Sequence, residues 1–154
     1  MSKHERFLAD PAATDAFGAE LAASQPEGAV VFLEGPLGAG KSSLARAWLR
    51  ALGVQGAIKS PTYTLVERYP LPAGGEAAHL DLYRLADAGE LDFLGLDELA
   101  GQARLWLVEW PDRGAGGLPP PDLCLRLAVD GNGRRAWLAA GSEKGRAWLA
   151  GLRQ

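Results

Sequence analysis

Hydrophobic positions change their period several times along the chain, and each change marks a different element. Ala13, Phe17 and Leu21 recur every four residues, which lays an apolar stripe along one side of a helix. Asp10 supplies its N-cap and Pro11 fits the first turn, where no amide donor is needed. This helix is expected to end near Ser24, ahead of Pro26. Ala29-Val30-Val31-Phe32-Leu33 is instead an unbroken β-favouring run, the pattern of a strand covered on both faces. Glycines follow it at once. Leu44, Trp48 and Leu52 then restore helical spacing until Gly53 stops it. The order is strand, glycine loop, helix.

Further on, Tyr63 to Tyr69 reads as a strand, Pro70 to Gly75 as a turn, and Ala78 to Leu82 as a short strand. Glu90 to Leu99 is a weaker helix interrupted by Gly95. Arg104 to Trp110 is a second buried strand with a carboxylate, Glu109, at its end, and Gly114 to Pro121 is a loop. Leu123, Leu125, Leu127 and Val129 alternate, as do Trp137 and Ala139, with Asp130-Gly131-Asn132-Gly133 between them. This is an antiparallel hairpin. An amphipathic helix from Ser142 to Leu152 closes the chain. The mixture predicts a three-layer α/β fold with a mixed central sheet and a C-terminal antiparallel hairpin.

Composition adds bounds. A chain of 154 residues with 47% hydrophobic and 23% charged residues suits one globular domain, spanning 1–154. The run from Ala29 to Leu33 is far short of the roughly 20 apolar residues of a membrane-spanning helix. The N-terminal stretch Met1 to Phe7 lacks the apolar core of a secretion signal, so a cytoplasmic location is expected. The lone Cys124 cannot form an intrachain disulfide, and its alternating apolar surroundings predict a buried structural thiol. Sixteen basic against nineteen acidic side chains give a net charge of -3. Basic residues are enriched toward the C-terminus, yet the balance does not favour a strong grip on nucleic acid.

The glycine loop carries the chemistry. Gly35-Pro36-Leu37-Gly38-Ala39-Gly40-Lys41-Ser42 has the phosphate-loop spacing, a glycine, four residues, then Gly-Lys-Ser. Glycines let backbone amides converge on phosphate oxygens, and the helix opening at Lys41 aims its positive end at the same anion. The backbone of Gly38, Ala39, Gly40, Lys41 and Ser42, with Ser43 in the same first turn, is therefore the candidate nucleotide cradle. Lys41 adds a mobile charge for the β and γ phosphates, and the Ser42 hydroxyl suits a Mg²⁺ shell.

The second anion needed by such a metal is offered by Glu109, unless it is a capping or surface carboxylate. Asp81 is a candidate to order water near the metal, or else caps the following turn. Strand alternation sets it on one face with His79, which is either a base or a satisfied structural histidine. Thr62, behind Pro61, either senses the γ phosphate or belongs to ordinary turn chemistry. Arg84 is a possible transition-state cation, with packing or ion pairing as the alternative. Arg134, Arg135, Lys144 and Arg146 form a basic tail cluster that contacts nucleotide, partner or tRNA phosphate, or is simply solvated.

Taken together, Gly35 to Ser42, Lys59-Ser60-Pro61-Thr62-Tyr63-Thr64-Leu65-Val66, His79-Leu80-Asp81-Leu82-Tyr83-Arg84-Leu85 and Leu107-Val108-Glu109-Trp110-Pro111 resemble, in order and approximate spacing, the TsaE family. These are bacterial ATPases of tRNA threonylcarbamoyladenosine synthesis. The resemblance implies a P-loop NTPase-like fold that binds and hydrolyses ATP with Mg²⁺. It also implies support of TsaB and TsaD as they modify adenosine 37 of tRNAs reading codons that begin with A, with tRNA contacted indirectly. Carried over by position, Ser42 and Glu109 are the metal residues, Asp81 and Thr62 join Lys41 and Glu109 in the catalytic set, and Trp110 lies near the nucleotide. Ser42 stands where threonine is usual in the family. The expected reaction is phosphoryl transfer to water, slow until a partner assists. A small-molecule kinase, or an ATP-gated binding module with little turnover, are the alternatives.

Overall fold

The computed structural model describes residues 3–152, so Met1, Ser2, Arg153 and Gln154 lie outside it. Seven strands form one sheet: β1 (Lys3–Leu8), β2 (Ala29–Glu34), β3 (Val66–Pro70), β4 (Glu76–Asp81), β5 (Ala103–Glu109), β6 (Leu123–Asp130) and β7 (Gly133–Ala140). Their order across the sheet is β1-β7-β6-β2-β5-β4-β3. β2 runs parallel to both β5 and β6, and β4 runs parallel to β5. The β1–β7, β6–β7 and β3–β4 pairs are antiparallel, so the sheet is mixed and carries the C-terminal hairpin.

Strand alternation divides the core between the two faces. Val31, Leu33, Leu105, Leu107, Leu123 and Leu125 share a cluster with Phe17 and Leu21 of α1 (Pro11–Ser24), Leu44 and Trp48 of α2 (Lys41–Ala51), and Trp148 of α4 (Glu143–Ala150). Ala78, Leu80, Trp106 and Val108 point the other way, onto Leu91 of a 3₁₀ segment (Ala88–Phe93) and Leu99 of α3 (Leu96–Ala100). Three layers result. Asp10 caps α1 by accepting the Ala13 amide at 2.8 Å, as its sequence position predicts. Gly18 lets α1 and α2 meet closely, since a Cβ there would lie 2.8 Å from the Ala47 Cβ. Trp48 and Trp148 pack edge to face with ring centroids 5.8 Å apart, and their indole N–H groups donate to Gln25 and Ser24.

The structure departs from the sequence pattern in five places. β1, which has no clean apolar alternation, is a strand because β7 pairs with it along Lys3 to Leu8. Tyr63 and Thr64 form a turn and leave the strand to begin at Val66, after Leu65 at φ 70°. The segment from Glu90 to Leu99 breaks at Gly95, φ 71°, as expected, but its first half is a 3₁₀ segment and not α-helix. Trp110 leaves β5 at φ 56° and does not extend it. Cys124 is only half-buried, although burial still pushes its thiol above the ordinary cysteine value, helped by Glu34.

Candidate functional site

Three parallel strands, β2, β5 and β4, end side by side, and the loop from Gly35 to Gly40 rises from the first of them. Ligands in open α/β sheets bind at this carboxyl edge. Gly35 sits at φ 137° with its Cα facing β6, so that a Cβ would lie 2.3 Å from the Leu127 carbonyl oxygen. Gly38 and Gly40 also have positive φ, 82° and 102°. Gly40 is the N-cap of α2 and provides no side-chain acceptor, so the leading amides of Lys41, Ser42 and Ser43 are available to an external anion. Ala39 is buried, and its N–H donates to Pro36 oxygen at 3.2 Å, closing the loop on itself.

Lys41, His79, Asp81 and Glu109 converge here and are all buried. His79 and Asp81 alternate with Leu80, and Glu109 with Val108, so these polar groups face the side of the sheet that carries α2. The Lys41 ammonium donates to Gly35 oxygen at 2.5 Å and stands 3.8 Å from the Trp110 ring centroid. Burial pushes its pKa below the usual lysine value, against the pull of Glu109, Asp81 and Asp112. The Ser42 hydroxyl donates to Glu109 Oε2 at 3.4 Å, and His79 Nε2 lies 2.6 Å from the same oxygen. Thr62 Oγ1 donates to Asp81 Oδ2 at 3.3 Å, while Asp81 Oδ1 accepts the Tyr83 amide at 3.0 Å. Asp81 therefore does cap its turn, and it also touches the Thr62 segment.

Leu65 and Trp110 are the two non-glycine residues with positive φ among the described residues, and both border this cluster. Such conformations cost about 1 to 3 kcal/mol and concentrate at functional sites. The Leu65 amide donates to Pro61 oxygen and its carbonyl accepts the Asp81 amide, which ties the Thr62 turn to the end of β4. The αL turn at Trp110 directs its indole back over Lys41, where a continued strand would carry it elsewhere. Arg84 stacks on the exposed Tyr63 ring, 4.6 Å from its centroid, and also lines the cavity between Lys41, Asp81 and Glu109.

A cavity of about 450 Å³ is lined by Lys41, Ser42, Thr62, Asp81, Glu109 and Trp110. A larger one, about 790 Å³, opens between α1, α2 and the β6–β7 turn, and shares Gly40, Ser43 and Arg134 with the first. Arg134 is thus separated from the rest of the basic tail. It reaches Gly38 oxygen at 3.5 Å, whereas Arg135 pairs with Asp130 and Glu5, Lys144 donates to Glu27 oxygen, and Arg146 lies 3.8 Å from Glu143. The larger cavity had no signal in the sequence. It is bounded by Asp10, the cap of α1, Thr14 of that helix, Arg46 of α2 and Asn132 of a distant turn.

Residues 8–136 match the family model described as threonylcarbamoyl adenosine biosynthesis protein TsaE. The chain belongs to the TsaE family. It is 43% identical over 117 residues to the tRNA threonylcarbamoyladenosine biosynthesis protein TsaE of Haemophilus influenzae, covering 76% of this chain and 73% of that one. The TsaE protein of a Synechocystis species is 42% identical over 119 residues, 71% of each chain. The fold is similar to the crystal structure of Bacillus subtilis YdiB, with a TM-score of 0.79, 26% identity, and coverage of 96% of this chain and 92% of that chain. Membership assigns this TsaE chain to a family of tRNA threonylcarbamoyladenosine biosynthesis. No helix among its described residues is long and apolar enough to cross a membrane.

Proposed function

We propose that the chain binds and hydrolyses Mg²⁺-ATP in support of TsaB- and TsaD-dependent formation of N6-threonylcarbamoyladenosine at position 37 of tRNAs reading codons that begin with A. The observation that carries this reading is the Ser42 hydroxyl at the start of α2, 3.4 Å from a buried carboxylate oxygen of Glu109, beside the buried Lys41 ammonium. The donor set fits the metal. Mg²⁺ favours one or two protein oxygens together with phosphate and water, and the Ser42 hydroxyl and Glu109 carboxylate offer two such oxygens side by side.

In this mechanism Ser42 and Glu109 would hold Mg²⁺, which would supply charge neutralisation at the phosphate oxygens. Backbone amides of the first turn of α2 and the loop from Gly38 to Ser43 bind the phosphates. Lys41 exchanges its bond to Gly35 oxygen for phosphate oxygens, a stronger partner because both groups are charged. Asp81, already joined to Thr62, orients the attacking water from the end of β4. Trp110 covers Lys41 and keeps bulk water from the phosphate end. The nucleoside extends past Gly40 and Ser43 into the larger cavity, where Arg134 flanks it.

Arg84 and Arg134 both line the smaller cavity, but Arg84 is stacked on Tyr63 and Arg134 is bonded to the Gly133 and Gly38 oxygens, so neither stands ready as a transition-state cation. Turnover alone is therefore slow, and a cation supplied by a partner is worth ~10³ to 10⁵ in rate. The test is reconstitution of tRNA modification with purified TsaB and TsaD, omitting this chain and then restoring it as wild type or Lys41→Ala, with phosphate release followed in parallel. Wild type should restore modification and Lys41→Ala should not. Equal rescue by the lysine variant, or rapid hydrolysis by the isolated chain, contradicts this account.

A further inference from the structure

His79 lies on β4, with β5 between it and the strand that leads into the phosphate loop, and is 2% exposed. Among the described residues its ring has one hydrogen bond, from Nε2 to Glu109 Oε2 at 2.6 Å, and its Nδ1 is buried without a partner. Buried polar atoms are ordinarily paired, and His4 Nδ1 is also buried without a partner among the described residues, so what sets His79 apart is its 2.6 Å contact with a buried carboxylate. Here the ring leaves one nitrogen bare and directs the other at a single carboxylate oxygen. A carboxylate oxygen is an acceptor, so the 2.6 Å contact is a hydrogen bond donated by the ring through Nε2–H.

Glu109 lies at the last position of β5, beside Asp81 in the neighbouring strand, and His79 is paired with Leu107 two residues earlier. The imidazole therefore reaches Glu109 diagonally across the β4–β5 pair, on the face that carries α2. A glutamate side chain has three rotatable bonds, and the backbone does not by itself determine where its carboxylate points. Ser42 reaches the same Oε2 at a longer 3.4 Å. The shorter bond, 2.6 Å, comes from a ring held inside the sheet.

We propose that His79 is a positioning residue that holds the Glu109 carboxylate in its metal-binding orientation, through the Nε2–H bond to Oε2. The inference rests on the reading of Ser42 and Glu109 as the Mg²⁺ residues. Partners that orient a metal-binding side chain typically contribute 10- to 100-fold to metal affinity, although they touch neither metal nor substrate. Phosphate binding through the loop amides and Lys41 does not involve His79.

The experiment measures ADP binding to the full chain by calorimetry, first in EDTA and then as a Mg²⁺ titration of the ADP-loaded protein. His79→Asn retains an amide but is too short to reach Glu109, whereas His79→Gln places an amide nitrogen near the position of Nε2. His79→Asn should raise the Mg²⁺ concentration for half-saturation by about 10- to 100-fold, with ADP affinity in EDTA retained, and His79→Gln should recover most of that loss. In a Glu109→Gln background, His79→Asn should add no further loss, because the residue through which it acts is already altered.

A wild-type Mg²⁺ response in His79→Asn overturns the proposal. So does an equal loss of ADP affinity with and without Mg²⁺, equal behaviour of the Asn and Gln variants, or failure of both variants to fold in thermal melts, each of which makes the ring merely structural. Absence of ADP binding to the wild-type chain in either condition instead overturns the phosphate-site reading, and this proposal with it.

Discussion

Lys41 is 5% exposed, with its ammonium on a carbonyl oxygen and an indole face. A charge in that position is unfavourable for stability unless its partners match it, and replacing it with an apolar chain of similar length is often neutral or stabilising. Lys41→Met should therefore melt at the wild-type temperature or above it. Its affinity for Mg²⁺-ATP should fall by about 10- to 100-fold, as expected for loss of a charged hydrogen bond worth about 1.5–3 kcal/mol. Calorimetry and a thermal melt on one preparation check both halves. Elsewhere, His4 is buried beside Arg6 and its pKa is lowered from 6.5 by burial and then by Arg6, with Glu20 opposing. The folded state thus disfavours the charged ring, and stability present above pH 6.5 is lost as pH falls toward the lowered folded value. His4→Gln should lack this component, so the stability of wild type relative to the variant should decline from pH 8 to pH 5 in denaturant titrations.

At the scale of elements, the strand, glycine loop and helix from Ala29 to Ala51 are readable from the chain, because each has its own period and its own stop signals. Gly35 illustrates what this unit demands. Its positive φ and its approach to Leu127 leave no room for a side chain, so Gly35→Ala should destabilise by about 2 kcal/mol or more. The melting temperature should fall by about 2–4 °C per kcal/mol for a chain of this size. Deletion of the Trp48 side chain, fully buried where α2 meets Trp148, should be costlier, about 3–5 kcal/mol for Trp48→Ala. Elements whose limits depend on other parts of the chain are not legible in this way. Trp110 continues an apolar run in the sequence, yet the strand ends at Glu109 and the indole turns onto Lys41. Tyr63 and Thr64 have strand-favouring side chains, but the bonds of Leu65 to Pro61 and Asp81 hold that segment as a turn.

The whole molecule determines which distant residues share the cavities. β6 lies beside β2, and its partner β7 begins at Gly133, so Arg134 reaches the phosphate loop 96 residues earlier in the chain. The neighbouring Arg135 is held by Asp130 and Glu5 instead. Arg134→Ala should weaken nucleotide binding about 3- to 10-fold, on the scale of one polar contact of about 1 kcal/mol. Arg135→Ala should leave the affinity unchanged, and fluorescence titration with a labelled nucleotide distinguishes the two. Charge spacing in the sequence treats these arginines alike, since only strand pairing reveals which way each side chain faces.

The sequence by itself determined the phosphate-loop unit, the mixed α/β architecture and the family, because periodicity, glycine spacing and short motifs are local properties of a chain. Tertiary structure alone decided that His79 meets Glu109, that Trp110 covers Lys41, that β1 joins the sheet and that Arg134 leaves the basic tail for the cavities. These depend on strand order, register and two left-handed backbone turns. The physical reason is that such contacts join residues tens of positions apart, whose encounter is fixed by packing the two faces of the sheet and by no preference of either residue alone.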